Sequence, residues 1–404
     1  MRSSVCFSIN QIPSFMGLKF YRCRARLIKI VRLKKVLALA PLPPPYSGPE
    51  ISSEILFSRP FDRVKVDLLN ISVKKGKSDR GFLTPGALAR YGLVYSKYLS
   101  RLIFGRPEGI YLPITATRLG WMRDLSILYP AHLLRKKTIL HMRGGHFHFF
   151  YKALDESFRK RVRDALERAS AIIVQSPSLM KQFDGIVPRR KLKVLPNPYH
   201  PDFEHMELRR DKVRILFVGL FSVAKGYHDL VEVAQEILDA GMDVEFVFLG
   251  TPIKGERNIF YNQLTGEPIP WKPFIRLEDE RVRYVESAYG RDKIRLYEEC
   301  SIFVLPSYSE GFSMAVLEGM VSACAVITTK VGAMVDIIEH GKTGVLIDPG
   351  DRKSLKEWLV RLIEDEGLRK EMGTRARQYA MAHFSPERVR RQLEDIFLEA
   401  LSQS

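Results

Sequence analysis

The chain has 404 residues, more than one hydrophobic core usually organises, so two domains are expected. Hydrophobic residues make up 46%, as in ordinary globular proteins, and no apolar run reaches the roughly 18 residues that a membrane-spanning helix needs. The formal charge of +18 is the unusual property, and it directs attention to where the cations lie.

Many lie at the start. Before residue 41 the chain carries nine Lys and Arg, from Arg2 to Lys35, and no acid. They are interleaved with Phe15, Phe20, Tyr21, Leu27, Ile28, Ile30 and Val31, a composition suited to an anionic membrane surface. A plain leader, with Met16 as a second start, fits the same residues. A basic nucleic-acid arm is the rival, but no nucleic-acid-binding module accompanies it, so no nucleic acid is expected as partner. Ala38-Leu39-Ala40 mimics a signal-peptide cleavage site, yet the uncharged run Val36 to Leu42 is short and contains Pro41. Cys6, Cys23, Cys300 and Cys324 have no metal-ligand spacing and read as free thiols in a reducing compartment.

Val36 to Ala40 predicts the first buried strand of a parallel sheet, and Pro43 to Glu50 a stiff turn leading into a helix at Pro49. Val64 to Val73 fits a strand and Leu93 to Leu102 a helix, with a polar loop at Lys74 to Gly81 between them. Thr138 to Leu140 is a strand, and Gly144-Gly145 permits a close backbone turn at its end. His141, Arg143, His146 and His148 crowd that turn; their spacing could hold zinc, but no Cys or acid nearby completes a set. Asp155 to Ala169 forms an amphipathic helix and Ala171 to Ser176 a strand. Lys193 to Leu195 then runs into Pro196-Asn197-Pro198, and a linker follows at about residues 198 to 211.

Val213 to Val218 is a buried strand ending on Gly219, followed by Leu220 to Gly226 and a helix with periodic Leu230, Val233, Ala234 and Ile237. Val244 to Leu249 and Val282 to Ser287 are strands, whereas Thr251 to Glu280, with Trp271 and several prolines, has no assignable element. Tyr289 could stack on a base or stand as a rim aromatic. Ile302 to Leu305 is a short buried strand, and Pro306 to Met320 continues it as loop and helix. The amides of Gly311, Phe312 and Ser313 fall at the helix start, where unpaired N–H groups and the dipole favour anions. Glu310 lies in the loop, and Glu318 about one turn into the helix. Two carboxylates near an anion-binding helix end suit a ligand with an anionic middle and hydroxyl-rich ends, such as a nucleotide-sugar. Ala325 to Thr329 is a strand, Gly332 to Ile338 a short helix, and Gly341 to Gly344 a turn. Helices follow at Lys353 to Glu364, Leu368 to His383 and Pro386 to Leu401.

Glu310-x7-Glu318, set in Pro306-Ser307-Tyr308-Ser309-Glu310-Gly311-Phe312 and followed by Ala325-Val326-Ile327-Thr328-Thr329, resembles the signature of the glycosyltransferase family 4 group. The resemblance spans residues 35 to 404 and is most specific from 213 onward. It implies an α/β GT-B fold, two Rossmann-like doubly wound domains facing a central cleft. The domains would be a basic leader at 1–34, an acceptor-side domain at 35–205, a donor-binding domain at 206–383 and a terminal helix at 384–404 crossing back. The resemblance further implies a retaining enzyme that moves a hexose-type sugar from a nucleoside diphosphate to an acceptor hydroxyl, without metal or other cofactor. By the same resemblance Gly48, Lys225, Gly311, Phe312, Ser313 and Glu318 bind the donor, Glu310 holds its sugar, and His141 stands near the reacting carbon. Arg143 or His146 takes that last place if the alignment shifts slightly. Leu220 stands where the family has an arginine for the pyrophosphate. Expected partners are the nucleotide-sugar, a saccharide or lipid-linked acceptor and an anionic membrane surface, in the cytoplasm or at the inner face of the membrane. Two readings compete: a sugar-nucleotide epimerase of the same fold, and a non-catalytic nucleotide-sugar-binding protein.

Overall fold

The computed structural model describes residues 33–72, 85–253 and 260–403. The basic segment before Leu33, with the membrane-surface reading attached to it, and the loop at 74–81 lie outside the described residues. Strands and helices alternate in a first series: β1 Lys34–Ala40, α1 Gly48–Phe57, β2 Val64–Asn70, α2 Pro85–Ile103, β3 Gly109–Ile114, α3 Arg118–Leu133, β4 Lys137–Met142, α4 Phe147–Lys152, α5 Glu156–Arg168, β5 Ala171–Val174 and β6 Leu192–Val194. The second series comprises β7 Arg214–Val218, α6 Tyr227–Asp239, β8 Glu245–Leu249, β9 Phe260–Tyr261, β10 Pro268–Ile269, β11 Val282–Val285, α7 Gly290–Glu299, β12 Ile302–Leu305, α8 Met314–Val321, β13 Ala325–Thr329, α9 Met334–Ile337 and β14 Val345–Ile347. Three helices end the chain: α10 Arg352–Glu364, α11 Glu366–His383 and α12 Pro386–Ser402.

The strands form two parallel six-stranded sheets, ordered β2-β1-β3-β4-β5-β6 and β11-β8-β7-β12-β13-β14. Their sequences explain why. Runs such as Val36 to Ala40, Ile302 to Leu305 and Ala325 to Thr329 are buried on both faces, which only a parallel sheet covered by helices allows. Strand order reverses beside the first strand of each series, between β1 and β3 and between β7 and β12. In open α/β sheets, ligands bind at the carboxyl ends of the strands beside such reversals.

Three local differences from the sequence reading have physical reasons. The strand read at 64–73 stops at Asn70, whose side-chain oxygen accepts the N–H of Ser72 at 2.8 Å and of Leu42 at 3.2 Å, diverting the backbone from the ladder. α2 starts at Pro85, not Leu93, because proline opens a helix readily. Within the unassigned stretch 251–280 lies a small antiparallel hairpin, β9 paired with β10.

α12 leaves the second sheet and packs on the first. Val389, Leu393, Phe397 and Ala400 are buried with Val36, Ala38 and Ile139. Such apolar side chains contribute about 1.5–3 kcal/mol each when fully buried. Ser385 caps this helix by accepting the Arg388 N–H at 3.4 Å, and Pro386 opens it. Glu394 accepts from the Arg63 backbone N–H at 2.5 Å and guanidinium at 2.9 Å, so the polar group on the buried side is satisfied.

Candidate active site

β7 ends at Gly219, and the chain makes a one-turn helix at Val223–Lys225 before Gly226. Gly226 has φ +68°, and a Cβ there would lie 2.0 Å from the Pro306 carbonyl oxygen, so only glycine fits. This close approach presses the Lys225 turn onto the loop after β12, where the Tyr308 N–H also donates to the Ala224 carbonyl at 3.0 Å. Lys225 Nζ then donates to Glu310 Oε1 at 2.7 Å, and Ser307 Oγ donates to the same oxygen at 2.7 Å. Among the described residues both bonds to this carboxylate fall on Oε1. Glu310 is 8% exposed and Lys225 29%.

Glu318 sits one helical turn further on, within α8, and is buried. Lys293 Nζ, from α7, bonds its two oxygens at 2.7 and 2.6 Å, and the Tyr297 hydroxyl donates at 2.8 Å. Burial, reinforced by the Glu318 charge, holds the Tyr297 phenol well above its ordinary pKa, so it remains a donor. Ser313 caps α8, accepting the Val316 N–H at 3.5 Å.

The first series of elements meets this edge backbone to backbone. A Cβ on Gly145 would lie 2.1 Å from the Glu310 carbonyl oxygen, and one on Gly311 would lie 2.5 Å from the Arg143 carbonyl oxygen. Two glycines thus let the loops after β4 and β12 interlock. Gln263, in the turn of the β9–β10 hairpin, ties the same place: its Nε2 donates to the Gly145 carbonyl at 2.8 Å, and its Oε1 accepts the Glu310 N–H at 3.1 Å. Asn197 joins the sheets behind them, donating to the Phe312 carbonyl at 3.0 Å and accepting from Gln175 at 2.8 Å and Ser52 at 2.9 Å. Gly48, at the start of α1, faces Met314 at the start of α8, with 3.5 Å from its Cβ position to Cγ. Beside it the Arg143 guanidinium donates to the Pro49 carbonyl at 2.5 Å and to Ser53 Oγ at 3.0 Å. At the rim Tyr289 rests on Tyr46, with ring centroids 4.9 Å apart.

The histidines divide between two environments. His141 is buried, with Nδ1 2.7 Å from the Tyr111 hydroxyl. The reason is the two-residue period of β4, which puts His141 on the face of Ile139, where Tyr111 packs on Phe397 of α12. The His141 Nε2 is buried without a hydrogen-bond partner among the described residues. His146, the alternative left open by the sequence, stands 3.5 Å from Ser309 Oγ and feels the charges of Lys225 and Glu310. Burial and the Lys225 charge hold its pKa below the usual value, so it is neutral near pH 7.

Lys225, Glu310 and Gly311 therefore converge; Gly48 and Ser313 stand at facing helix starts, and Glu318 lies deeper in the second sheet's own layer. Phe312 turns its ring against Phe384, centroids 5.4 Å apart, and offers its carbonyl to Asn197. Sequence reasoning missed Gln263, Gln175, Lys293 and Tyr297 as members of the site. Only Lys293 and Tyr297 carried a signal, one turn apart on a helix that follows the strand-end Tyr289. Two concave cavities, of about 660 and 800 Å³, lie elsewhere, along α10 and at the amino ends of β7 and β8. Among the described residues no three His, Cys, Asp or Glu are grouped to hold a metal ion.

Two parallel-sheet Rossmann-like units with their strand ends facing define the GT-B class, and solved structures agree. Sucrose-phosphate synthase from Thermosynechococcus elongatus aligns with a TM-score of 0.66 at 16% identity, over 92% of this chain and all of that one. Anabaena HepE in complex with UDP and glucose gives 0.64 at 15% identity, over 91% of this chain and all of that one. Residues 201–379, which contain Lys225, Glu310 and Glu318, match the model of the family described as glycosyl transferases group 1, and the resemblance seen in the sequence holds at that level. The chain is 28% identical to the capsular polysaccharide biosynthesis glycosyltransferase CapM of Staphylococcus aureus, over 50% of each. It is 24% identical to the N-acetyl-alpha-D-glucosaminyl L-malate synthase of Bacillus anthracis, over 61% of this chain and 64% of that one. It is 22% identical to the D-inositol 3-phosphate glycosyltransferase of Corynebacterium diphtheriae, over 70% and 68%. The matched region thus spans between half and about two thirds of the length of these relatives.

Proposed function

We propose that the chain is a retaining glycosyltransferase of family 4 type, which moves a hexose-type sugar from a nucleoside-diphosphate sugar to an acceptor hydroxyl in cell-surface polysaccharide or glycolipid synthesis. The Lys225–Glu310 pair, where the loops after β4, β7 and β12 meet, is the observation that carries this reading. In it the donor lies along the carboxyl ends of β7 and β12. Glu318 takes the ribose hydroxyls, Glu310 the sugar hydroxyls, and Lys225 with the starts of α1 and α8 takes the diphosphate. Arg143, already at the first turn of α1, supplies the second cation that Leu220 does not. His146, not His141, faces the reacting sugar. The acceptor attacks on the face from which the diphosphate departs, and no enzymic nucleophile forms. Charge growing on the leaving diphosphate is met by Lys225, Arg143 and helix-end amides, which is where such catalysis gains most. These cations make a divalent metal unnecessary, so activity should survive EDTA.

The test is calorimetry with a panel of nucleoside diphosphates and their sugars, followed by transfer assays and the anomeric configuration of the product. The expected result is binding of one nucleotide type and a product of retained configuration. Sugar alteration without acceptor would favour the epimerase, binding without turnover the non-catalytic protein, and magnesium-restored activity after EDTA would remove the metal-independent mechanism.

A further inference from the structure

α3 is apolar on two faces. Trp121, Ile127, Leu128 and Ala131 are buried against the first sheet, as an ordinary core stripe. The opposite stripe, Leu119, Met122, Tyr129 and Leu133, also repeats at helical spacing but is exposed, Tyr129 by 74% and Leu133 by 72%. It runs about 21 Å along the helix. The neighbouring α2, joined to α3 by bonds from Tyr91 and Tyr98 to Ser126 and Ile127, adds exposed Leu93 and Ile103, with Phe104 just beyond its end at 81% exposure. α5, which packs beside α3, shows what a solvated helix of this fold looks like: every exposed residue on it is polar or charged, among them Glu156, Lys160, Arg161, Asp164 and Glu167. An extended apolar face of this kind marks an interaction surface.

Charge identifies what covers it. Residues 85 to 137 contain nine Lys and Arg and two acids, Glu108 and Asp124, and Asp124 is buried beneath Arg123. Arg118, which precedes the α3 stripe, is already paired with Asp155 at 2.8 Å, but exposed Arg135 follows the stripe, Lys97 lies along α2 and Arg106 follows Phe104. A second copy placed on this face would set the same cations against each other. We propose that the α2–α3 face docks on an anionic bilayer, its apolar side chains entering the headgroup boundary and its cations pairing with acidic lipids. The surface belongs to described residues only and is distinct from the basic segment before Leu33. It does not depend on how the donor site is read.

Sedimentation of the full chain with vesicles of equal phosphatidylglycerol and phosphatidylcholine, against phosphatidylcholine alone, tests it. Replacing Leu119, Met122, Tyr129 and Leu133 together by Ser should lower the partition coefficient roughly tenfold or more. A second variant, Lys97→Glu with Arg106→Glu and Arg135→Glu, leaves the apolar stripe intact and should weaken binding about fivefold per removed charge at low salt. Unchanged nucleotide affinity and helical circular dichroism would show both variants folded. The proposal is overturned if both sediment like the wild type, or if the wild type ignores anionic vesicles. It is equally overturned if deleting residues 1–32 removes all binding, or if light scattering finds a dimer that these variants split.

Discussion

Glu310 and Glu318 are eight residues apart in sequence, both buried, and each bonded to a lysine. Their surroundings nevertheless differ in kind. Glu318 is held by Lys293 and Tyr297, two residues of α7, so every partner comes from the second sheet's own layer. Glu310 is held by Lys225 and Ser307 through its side chain, while its backbone meets Gly145 and Gln263 and its charge is felt by His146. One acid belongs to a cluster within the second sheet's own layer and the other to a junction between the sheets. The comparison teaches that two acids of one motif can be fixed in different ways, one by its own sheet's layer and the other where the two sheets meet.

The largest effect should come from separating these two roles. Glu310→Ala should lower turnover by about 10²–10³, the scale for losing one preorganised contact to a reacting group, with nucleoside diphosphate affinity little changed. Glu318→Gln should instead weaken nucleotide affinity by about 1.5–3 kcal/mol, the value of a hydrogen bond to a charged group, with a smaller loss of turnover. Calorimetry and steady-state kinetics on both variants decide; identical profiles would dissolve the distinction. Either substitution removes the buried counter-charge of Lys293, but Gln keeps the side-chain volume and an acceptor oxygen for Lys293 or Tyr297, so it perturbs less than Ala.

A smaller effect sharpens the junction itself. Gln263→Ala removes two hydrogen bonds, about 1 kcal/mol each, that tie Gly145 to the Glu310 backbone. Turnover with donor should fall several-fold, while free nucleotide affinity stays at the wild-type value. A change in nucleotide affinity alone would show that the hairpin serves nucleotide binding and not the junction.

The smallest effect is a pH slope. His146 and His141 are both held below the ordinary value of 6.5, chiefly by burial, and nearby cations, Lys225 and Arg143 respectively, add to it. Between the folded and unfolded pKa values the unfolded chain binds more protons, so stability falls as pH drops through about 6.5. Thermal melts from pH 7.5 to 5.5 should show a falling Tm, and His146→Gln should make that fall shallower. A Tm that rises on acidification, or an unaltered slope in the variant, contradicts the assignment of His146 to a buried neutral state.

The sequence by itself determined the alternation of strand and helix, the two-sheet class and the acid loop. Those features rest on local signals: apolar runs such as Ile302 to Leu305, the glycine that ends Val213 to Val218, the helix start at Gly311 to Ser313 and the spacing of Glu310 and Glu318. It also held the resemblance that the glycosyl transferases group 1 match bears out over residues 201–379. Only the tertiary structure decided which histidine faces the junction: His141 lies on β4, on the face of Ile139, whereas His146 lies beyond the strand at the start of α4, where the Gly145 turn packs against the Glu310 loop. The same holds for Gln263 and Gln175, and for the partners that Asn197 finds. Their bonds reach across 22 to 145 residues of chain, and a polar side chain in a loop or at a strand end carries no sign of the distant carbonyl or amide it will meet. Periodicity reports what a residue's own element buries; the meeting of two sheets is set by packing between elements that no local pattern encodes.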